Sequence, residues 1–215
     1  MAIKHHLSDE LLLAYAAGTL GEGWSVAVAS HLSLCPVCRA RETQLAALGG
    51  AALLDMEQAD MSAGALEHCL AAIDSADRPA ESVPPVPHDP VLPAPLRAFV
   101  GGDADSIRWS MVGGGVRQHR IAVKGNHTAR LLKIAPGESV PPHSHRGMEL
   151  TMVLAGSFSD ESDLFQRGDV ELADDEVEHA PVAGYGEPCI CLAITDAPLR
   201  FQGLVPKIVQ RFVGI

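Results

Sequence analysis

Residues 137–156 read GESVPPHSHRGMELTMVLAG and fit the pattern G-x5-H-x-H-x3-E-x6-G through Gly137, His143, His145, Glu149 and Gly156. In a strand and its approach, side chains alternate between two faces, so His143 and His145 point to one side and Glu149 can follow them there. Three metal-ligating side chains are then expected to face one lumen. The surrounding sequence has the same texture. Short runs rich in Val, Ile and Leu, at Arg130 to Ala135, Glu149 to Leu154, Asp169 to Ala173 and Cys189 to Thr195, are separated by Gly, Pro, Asn and Asp. Such spacing predicts an all-β barrel or sandwich from about Leu96 onward.

Upstream of this segment the character changes. Seven of the fifteen prolines lie between Pro79 and Pro95, a density that sustains neither a helix nor a ladder strand and predicts a linker. Before it, alanine and leucine dominate, and Gly18, Gly21, Gly23 and the Gly49, Gly50 pair punctuate what reads as three or four short helices. Ser8, followed by Asp9 and Glu10, is a plausible N-cap, and Gly18 a plausible stop. The chain therefore divides into a helical segment at 1–75, a proline-rich linker at 76–95 and a β domain at 96–215.

A second metal pattern lies in the helical segment. His31, Cys35 and Cys38 form H-x3-C-x2-C. On a helix starting near Trp24, His31 and Cys35 lie one turn apart on one face. Cys38 follows across Pro36 at a spacing in which two thiolates reach one tetrahedral Zn²⁺. The fourth ligand must come from elsewhere, and His5 and His6 precede the first helix and can fold back; His6 is the expected ligand. A domain this small needs a staple, and a structural zinc supplies on the order of 10 kcal/mol of apparent folding free energy.

Composition narrows the classes of function. A formal net charge of −11 disfavours nucleic acid and anionic membrane as partners. Five cysteines, an odd and unevenly spaced set, point away from a secreted disulfide framework. No apolar stretch is long enough for a membrane span, and the N-terminus lacks the unbroken apolar core of a secretory signal. A cytoplasmic protein is expected. Residues 1–75 hold three basic side chains, Lys4, Arg39 and Arg41, against nine acidic ones, a net of −6 that suits a basic partner.

Several features read as structural. Cys189 and Cys191 share one face of a strand, packed in the barrel or turned toward its metal. Cys69 sits in a helical pattern, His68, His88, His119 and His127 have no partner at metal-ligand spacing, and Gly113 to Gly115 lack the Lys and Ser/Thr of a phosphate loop.

Two resemblances follow from these motifs. His6, His31, Cys35, Pro36, Val37 and Cys38 resemble the signature of the zinc-binding anti-sigma domain. That likeness implies a small helical bundle packed between the two main domains of an extracytoplasmic-function sigma factor, with which it forms a 1:1 complex. The 137–156 pattern resembles the first motif of the cupin superfamily, whose second motif adds a histidine after a glycine turn. Here Gly168 leads to His179, although Asp174, Glu176 and Ala183 stand where the family has proline, glycine and asparagine. The implied barrel site is His143, His145, Glu149 and His179, suited to Zn²⁺, Mn²⁺, Fe²⁺ or Ni²⁺.

Helical zinc domain, linker and cupin together resemble the ChrR group of anti-sigma factors. The fold expected is α + β in two domains, a zinc-stapled helical bundle and a jelly-roll-like cupin barrel. The resemblance implies that the first domain inhibits the sigma factor, that the barrel detects singlet oxygen or organic peroxide, and that the linker lets them occupy separate faces of the sigma factor. The alternative, from another class, is a metal-dependent cupin enzyme, a dioxygenase or isomerase, with an accessory zinc domain.

Overall fold

The protein is described by a computed structural model covering residues 2–76, 89–140, 143–144, 147–174, 178–196 and 200–201, with 143–144, 178 and 200–201 at the level of the backbone. Most of the proline-rich segment, 77–88, lies outside the described residues.

Four helices precede it: α1 (Asp9–Ala16), α2 (Glu22–Leu34), α3 (Pro36–Leu54) and α4 (Ala65–Ser75). Ser8 caps α1 as its sequence position suggests, its hydroxyl accepting from the Leu11 N–H at 3.4 Å. Gly18, at φ +68°, ends that turn. Cys35 closes α2 and opens α3, its sulfur accepting from the Cys38 N–H, with Pro36 in the first turn of α3.

The punctuation expected at Gly23 and at the Gly49, Gly50 pair is absent. Gly23 lies inside α2, and α3 runs through both of the later glycines. An interior glycine weakens a helix by only about 1 kcal/mol, and the alanines and leucines around Gly49 and Gly50 carry α3 across. At Gly23 the missing side chain serves packing, because a Cβ there would stand 3.0 Å from the His127 ring.

A fifth helix, α5 (Ala94–Val100), leads into the β segment. The strands are β1 (Ser110–Gly113), β2 (Val116–Ile121), β3 (Thr128–Ile134), β4 (His143–Ser144), β5 (Glu149–Ala155), β6 (Ser157–Ser159), β7 (Leu164–Gln166), β8 (Val170–Ala173), β9 (Glu178–His179), β10 (Val182–Ala183), β11 (Cys189–Thr195) and β12 (Arg200–Phe201). They form a six-stranded sheet in the order β1-β2-β3-β11-β5-β8 and two three-stranded sheets, β10-β6-β7 and β12-β4-β9. Every pairing is antiparallel. The four runs picked out by composition correspond to β3, β5, β8 and β11. Gly156, at φ +66°, turns the chain from β5 into β6, and a Cβ there would meet the Pro188 carbonyl oxygen at 2.7 Å.

Alternation along the central strands separates two cores. Leu150, Met152 and Leu154 of β5, with Leu192 and Ile194 of β11, join Leu12, Ala27, Val28 and Leu96 in one cluster. Val153, Cys189 and Cys191 face the other way and join Phe158 and Phe165. The six-stranded sheet is therefore covered by helices on one face and lines the barrel with the other, which explains strands apolar on both faces. Each fully buried Leu, Ile or Met contributes roughly 1.5–3 kcal/mol, so the seam between helices and barrel is a substantial share of the fold.

Polar contacts cross the same seam. The Trp24 indole N–H donates to Asp196 Oδ1 at 2.9 Å, the Gly23 N–H to His127 Nε2 at 3.2 Å, and the Lys124 N–H to Glu22 Oε2 at 2.7 Å. The helical segment is docked on the sheet at residues far from the linker.

Candidate metal centres

His6, His31, Cys35 and Cys38 come together as the H-x3-C-x2-C spacing requires, their ligand atoms all within 4.8 Å of one another. His31 comes from the last turn of α2, Cys35 from the junction and Cys38 from the first turn of α3. His6 reaches in from the extended N-terminal segment, its Nδ1 3.3 Å from Cys35 Sγ and 3.5 Å from Cys38 Sγ. His31, Cys35 and Cys38 are buried.

The donor set fits a tetrahedral Zn²⁺ in chemistry and in hydrogen bonding. His31 Nδ1 lies 2.9 Å from the Gly168 carbonyl oxygen and donates to it. Its Nε2 is therefore a lone-pair donor, and this buried atom has no hydrogen-bond partner among the described residues. A ligand histidine is held in this way, one ring nitrogen on a carbonyl and the other turned to the metal. Burial lowers the His31 pKa to about 4, keeping the imidazole neutral, and burial pushes the Cys38 thiol up to about 11.

The choice between His5 and His6 has a structural reason. Although adjacent to His6, His5 belongs to the barrel: its Nε2 is 3.2 Å from Asp163, its Nδ1 3.5 Å from Asp169, and its ring packs on Phe165 with centroids 4.3 Å apart. Successive residues of an extended segment point opposite ways, so one histidine faces the cysteines and the other the barrel.

The second centre lies in the barrel. Strands β4 and β9 pair with His143 directly opposite His179, and Glu149 opens β5 on the lumen side, two residues ahead of Thr151 and four ahead of Val153. Glu149 and His179 are buried. The side chain of His143 and the whole of His145 lie outside the described residues.

Sequence reasoning missed two further acidic residues here. Glu171 on β8 places Oε1 3.0 Å from His179 Nδ1, and Asp160 in the β6–β7 connection places Oδ2 3.6 Å from the same nitrogen. Asp160, Glu171 and His179 form a second group of closely spaced ligand-type atoms. Burial works against ionisation of Asp160, yet the Glu171 carboxyl, the Ser162 hydroxyl and the Ser162 and Asp163 amides hold it below the usual range. Burial raises Glu171. Burial opposes the His179 cation, but the hydrogen bond and charge of Glu171, together with the charges of Glu149 and Asp160, raise its pKa. Glu171 thus engages the Nδ1 of His179 on the buried side of the barrel.

The paired thiols are resolved as well. Cys189 and Cys191 are buried on the lumen face. The Cys191 pKa is raised well above normal, first by its hydrogen bond with Cys189, then by burial and by the charges of Glu149 and Glu171. They are core residues that also face the carboxylates of the barrel site. Cys69 on α4 is exposed rather than buried, contrary to the core position its helical pattern suggests. No helix among the described residues is long and apolar enough to cross a membrane.

Fold and sites together define a class: a His/Cys-clustered helical unit docked on a cupin barrel. Residues 98–197 match the family described as the ChrR cupin-like domain. Over 216 aligned residues, all of both chains, the protein is 51% identical to the anti-sigma-E factor ChrR of Cereibacter sphaeroides. The crystal structure of Rhodobacter sphaeroides SigE in complex with the anti-sigma ChrR aligns with it at 49% identity and a TM-score of 0.81, over 91% of this chain and 100% of that one. The chain belongs to the ChrR family of anti-sigma factors.

Proposed function

We propose that this chain is a cytoplasmic anti-sigma factor that holds an extracytoplasmic-function sigma factor in an inactive 1:1 complex. On this reading it releases the sigma factor when its cupin barrel detects singlet oxygen or organic peroxide. The observation that carries the inhibitory role is the surface of α3 and α4. Leu66, Leu70 and Ile73 follow i, i+4, i+7 spacing on α4, no residue of that helix is buried, and Leu48, Leu53 and Leu54 at the end of α3 are exposed too. An amphipathic helix with its apolar stripe in water fits a partner. That the relative's solved structure is a complex with SigE supports this choice of partner, as does the acidic balance of residues 1–75. A regulator named as such at 51% identity over the full chain speaks against the enzyme alternative.

In this reading His6, His31, Cys35 and Cys38 hold Zn²⁺ and staple α2, α3 and the N-terminal segment, so that α3 and α4 present their apolar residues in one arrangement. His143, His145, Glu149 and His179 hold a second divalent metal in the barrel, Zn²⁺ before Mn²⁺, Fe²⁺ or Ni²⁺. When bound, that metal would supply a Lewis-acidic, signal-responsive centre. Glu171 fixes the His179 ring. Functionally, 1–75 inhibits, 76–95 links and 96–215 senses. The test is a sigma-dependent reporter in light plus photosensitiser, comparing wild type with His143→Ala. Induction lost in the variant, with repression intact in the dark, supports the division. Normal induction rejects the barrel site as sensor.

A further inference from the structure

The two centres are joined by one short stretch of chain. The Gly168 carbonyl, in the β7–β8 turn, accepts from His31 Nδ1. Asp169, next in sequence, accepts from the Lys4 and His5 N–H groups through one oxygen, at 2.7 and 2.9 Å, and from the Gln166 N–H through the other. The Val170 N–H then donates to the His5 carbonyl oxygen at 3.3 Å. Residues 4 and 5 thus lie along the start of β8, and the next residue is His6. One residue beyond Val170, Glu171 holds His179. Four consecutive residues, 168–171, contact a candidate zinc ligand, the segment leading to another, and a candidate ligand in the barrel.

The contacts are close enough that movement of one end is felt at the other. Gly168 has φ +93°, and a Cβ on it would meet Ile3 Cδ1 at 2.5 Å, so the N-terminal segment lies directly on this turn. Asp169 is buried. Burial opposes its charge, but the amides of His5, Gln166 and Lys4 outweigh it, and charge-assisted bonds of this kind are among the stronger ones. Strand β8 cannot slide freely, because β5 pairs with it in the register Glu149↔Ala173 to Met152↔Val170. Packed elements of this kind relay small displacements instead of absorbing them.

We infer that residues 168–171 form the coupling element between the barrel and the helical zinc unit. Glu171 positions His179, Gly168 positions His31, and Asp169 with Val170 positions the segment that delivers His6. This rests on the proposed occupancy of both centres and adds the route between them. Loss of the barrel metal loosens His179 and Glu171, β8 shifts, and the N-terminal segment and His31 lose their fixed partners. The zinc unit then changes shape without any reaction at its own thiolates.

The test is a double-mutant cycle on the full-length chain loaded with Zn²⁺, read by zinc content and by amide hydrogen exchange at Lys4, His5 and Val170. His143→Ala is expected to lose one zinc equivalent and to speed exchange at these amides by about tenfold, the order of ordinary coupling between sites. Asp169→Asn is expected to keep both zinc equivalents and to exchange fast from the start, with His143→Ala adding nothing further. Glu171→Ala should reproduce the His143→Ala exchange pattern, and Glu171→Gln, which retains an acceptor for His179, should restore slow exchange even if Asp169→Asn folds poorly. Loss of the barrel zinc with no change at Lys4, His5 and Val170 overturns the coupling, as do effects of the two substitutions that multiply independently. If His143→Ala retains both equivalents, the barrel-site reading itself fails, and the coupling with it.

Discussion

His6 Nδ1 stands 3.3 Å from Cys35 Sγ, twenty-nine residues away in sequence. This contact closes the N-terminal segment onto the α2–α3 junction, and with His31 and Cys38 it builds a four-donor cluster in a bundle whose own core is thin. Cys35→Ala or Cys38→Ala should therefore lower the zinc content by one equivalent and abolish sigma inhibition, since structural zinc contributes on the order of 10 kcal/mol to small domains. His6→Ala should fall in the same class. The ring of His5 is engaged by Asp163, Asp169 and Phe165 and cannot stand in. Zinc analysis of purified variants checks this, and a His6→Ala protein with full zinc would show that another residue completes the set.

Zinc affinity at this centre should rise with pH. The Cys38 thiol, pushed up to about 11 by burial, is protonated in the metal-free fold at neutral pH, and each ligating thiol gives up a proton on binding. His31, lowered to about 4, is neutral above pH 5 and releases none. The apparent affinity should therefore gain about one decade per pH unit between pH 6 and 8 from the proton released by Cys38. Competition with a chelator of known proton stoichiometry measures the slope, and a flat profile would mean the thiolates are not ligands.

The seam between helices and barrel should be measurable at Trp24. Trp24→Phe retains most of the ring but removes the donor to Asp196, at a cost of about 1 kcal/mol. Trp24→Ala should cost about 3–5 kcal/mol by leaving a cavity among Trp24's buried neighbours. Thermal unfolding of the two variants should differ by several degrees, and equal melting temperatures would deny the seam its part in stability.

Much of the fold was legible because its signals are local. The H-x3-C-x2-C spacing needs only helical geometry, and β3, β5, β8 and β11 announce themselves by β-branched and aliphatic runs. Contacts between distant segments were not legible. Asp160 sits in Ser159-Asp160-Glu161-Ser162-Asp163, which reads as a solvated turn, yet one of its oxygens faces His179. Glu171 is a single acid in a short strand, and only the β5–β8 pairing shows that it is buried beside the lumen. The docking of His31 on Gly168 joins residues 137 apart, a tertiary fact with no spacing to betray it. Gly49 and Gly50 misled in the other direction, because glycine only lowers helix propensity and the neighbouring residues of α3 decided the outcome.

On α4, Leu66→Glu, Leu70→Glu and Ile73→Glu should leave the melting temperature within about 2 °C, because no residue of that helix is buried in the free chain. The same substitutions should weaken sigma binding at least tenfold if the stripe is the contact surface, as expected for apolar anchors at an interface centre. Titration calorimetry against the sigma factor separates the two effects. Wild-type affinity in all three variants would move the contact surface elsewhere.

The most direct test of the central claim is transcription in vitro from a sigma-dependent promoter, with core RNA polymerase and its extracytoplasmic-function sigma factor, as the zinc-loaded chain is titrated in. Full repression at one chain per sigma factor is predicted, with the Cys35→Ala, Cys38→Ala double variant leaving transcription unchanged. Undiminished transcription in the presence of excess zinc-loaded wild-type chain would contradict the account.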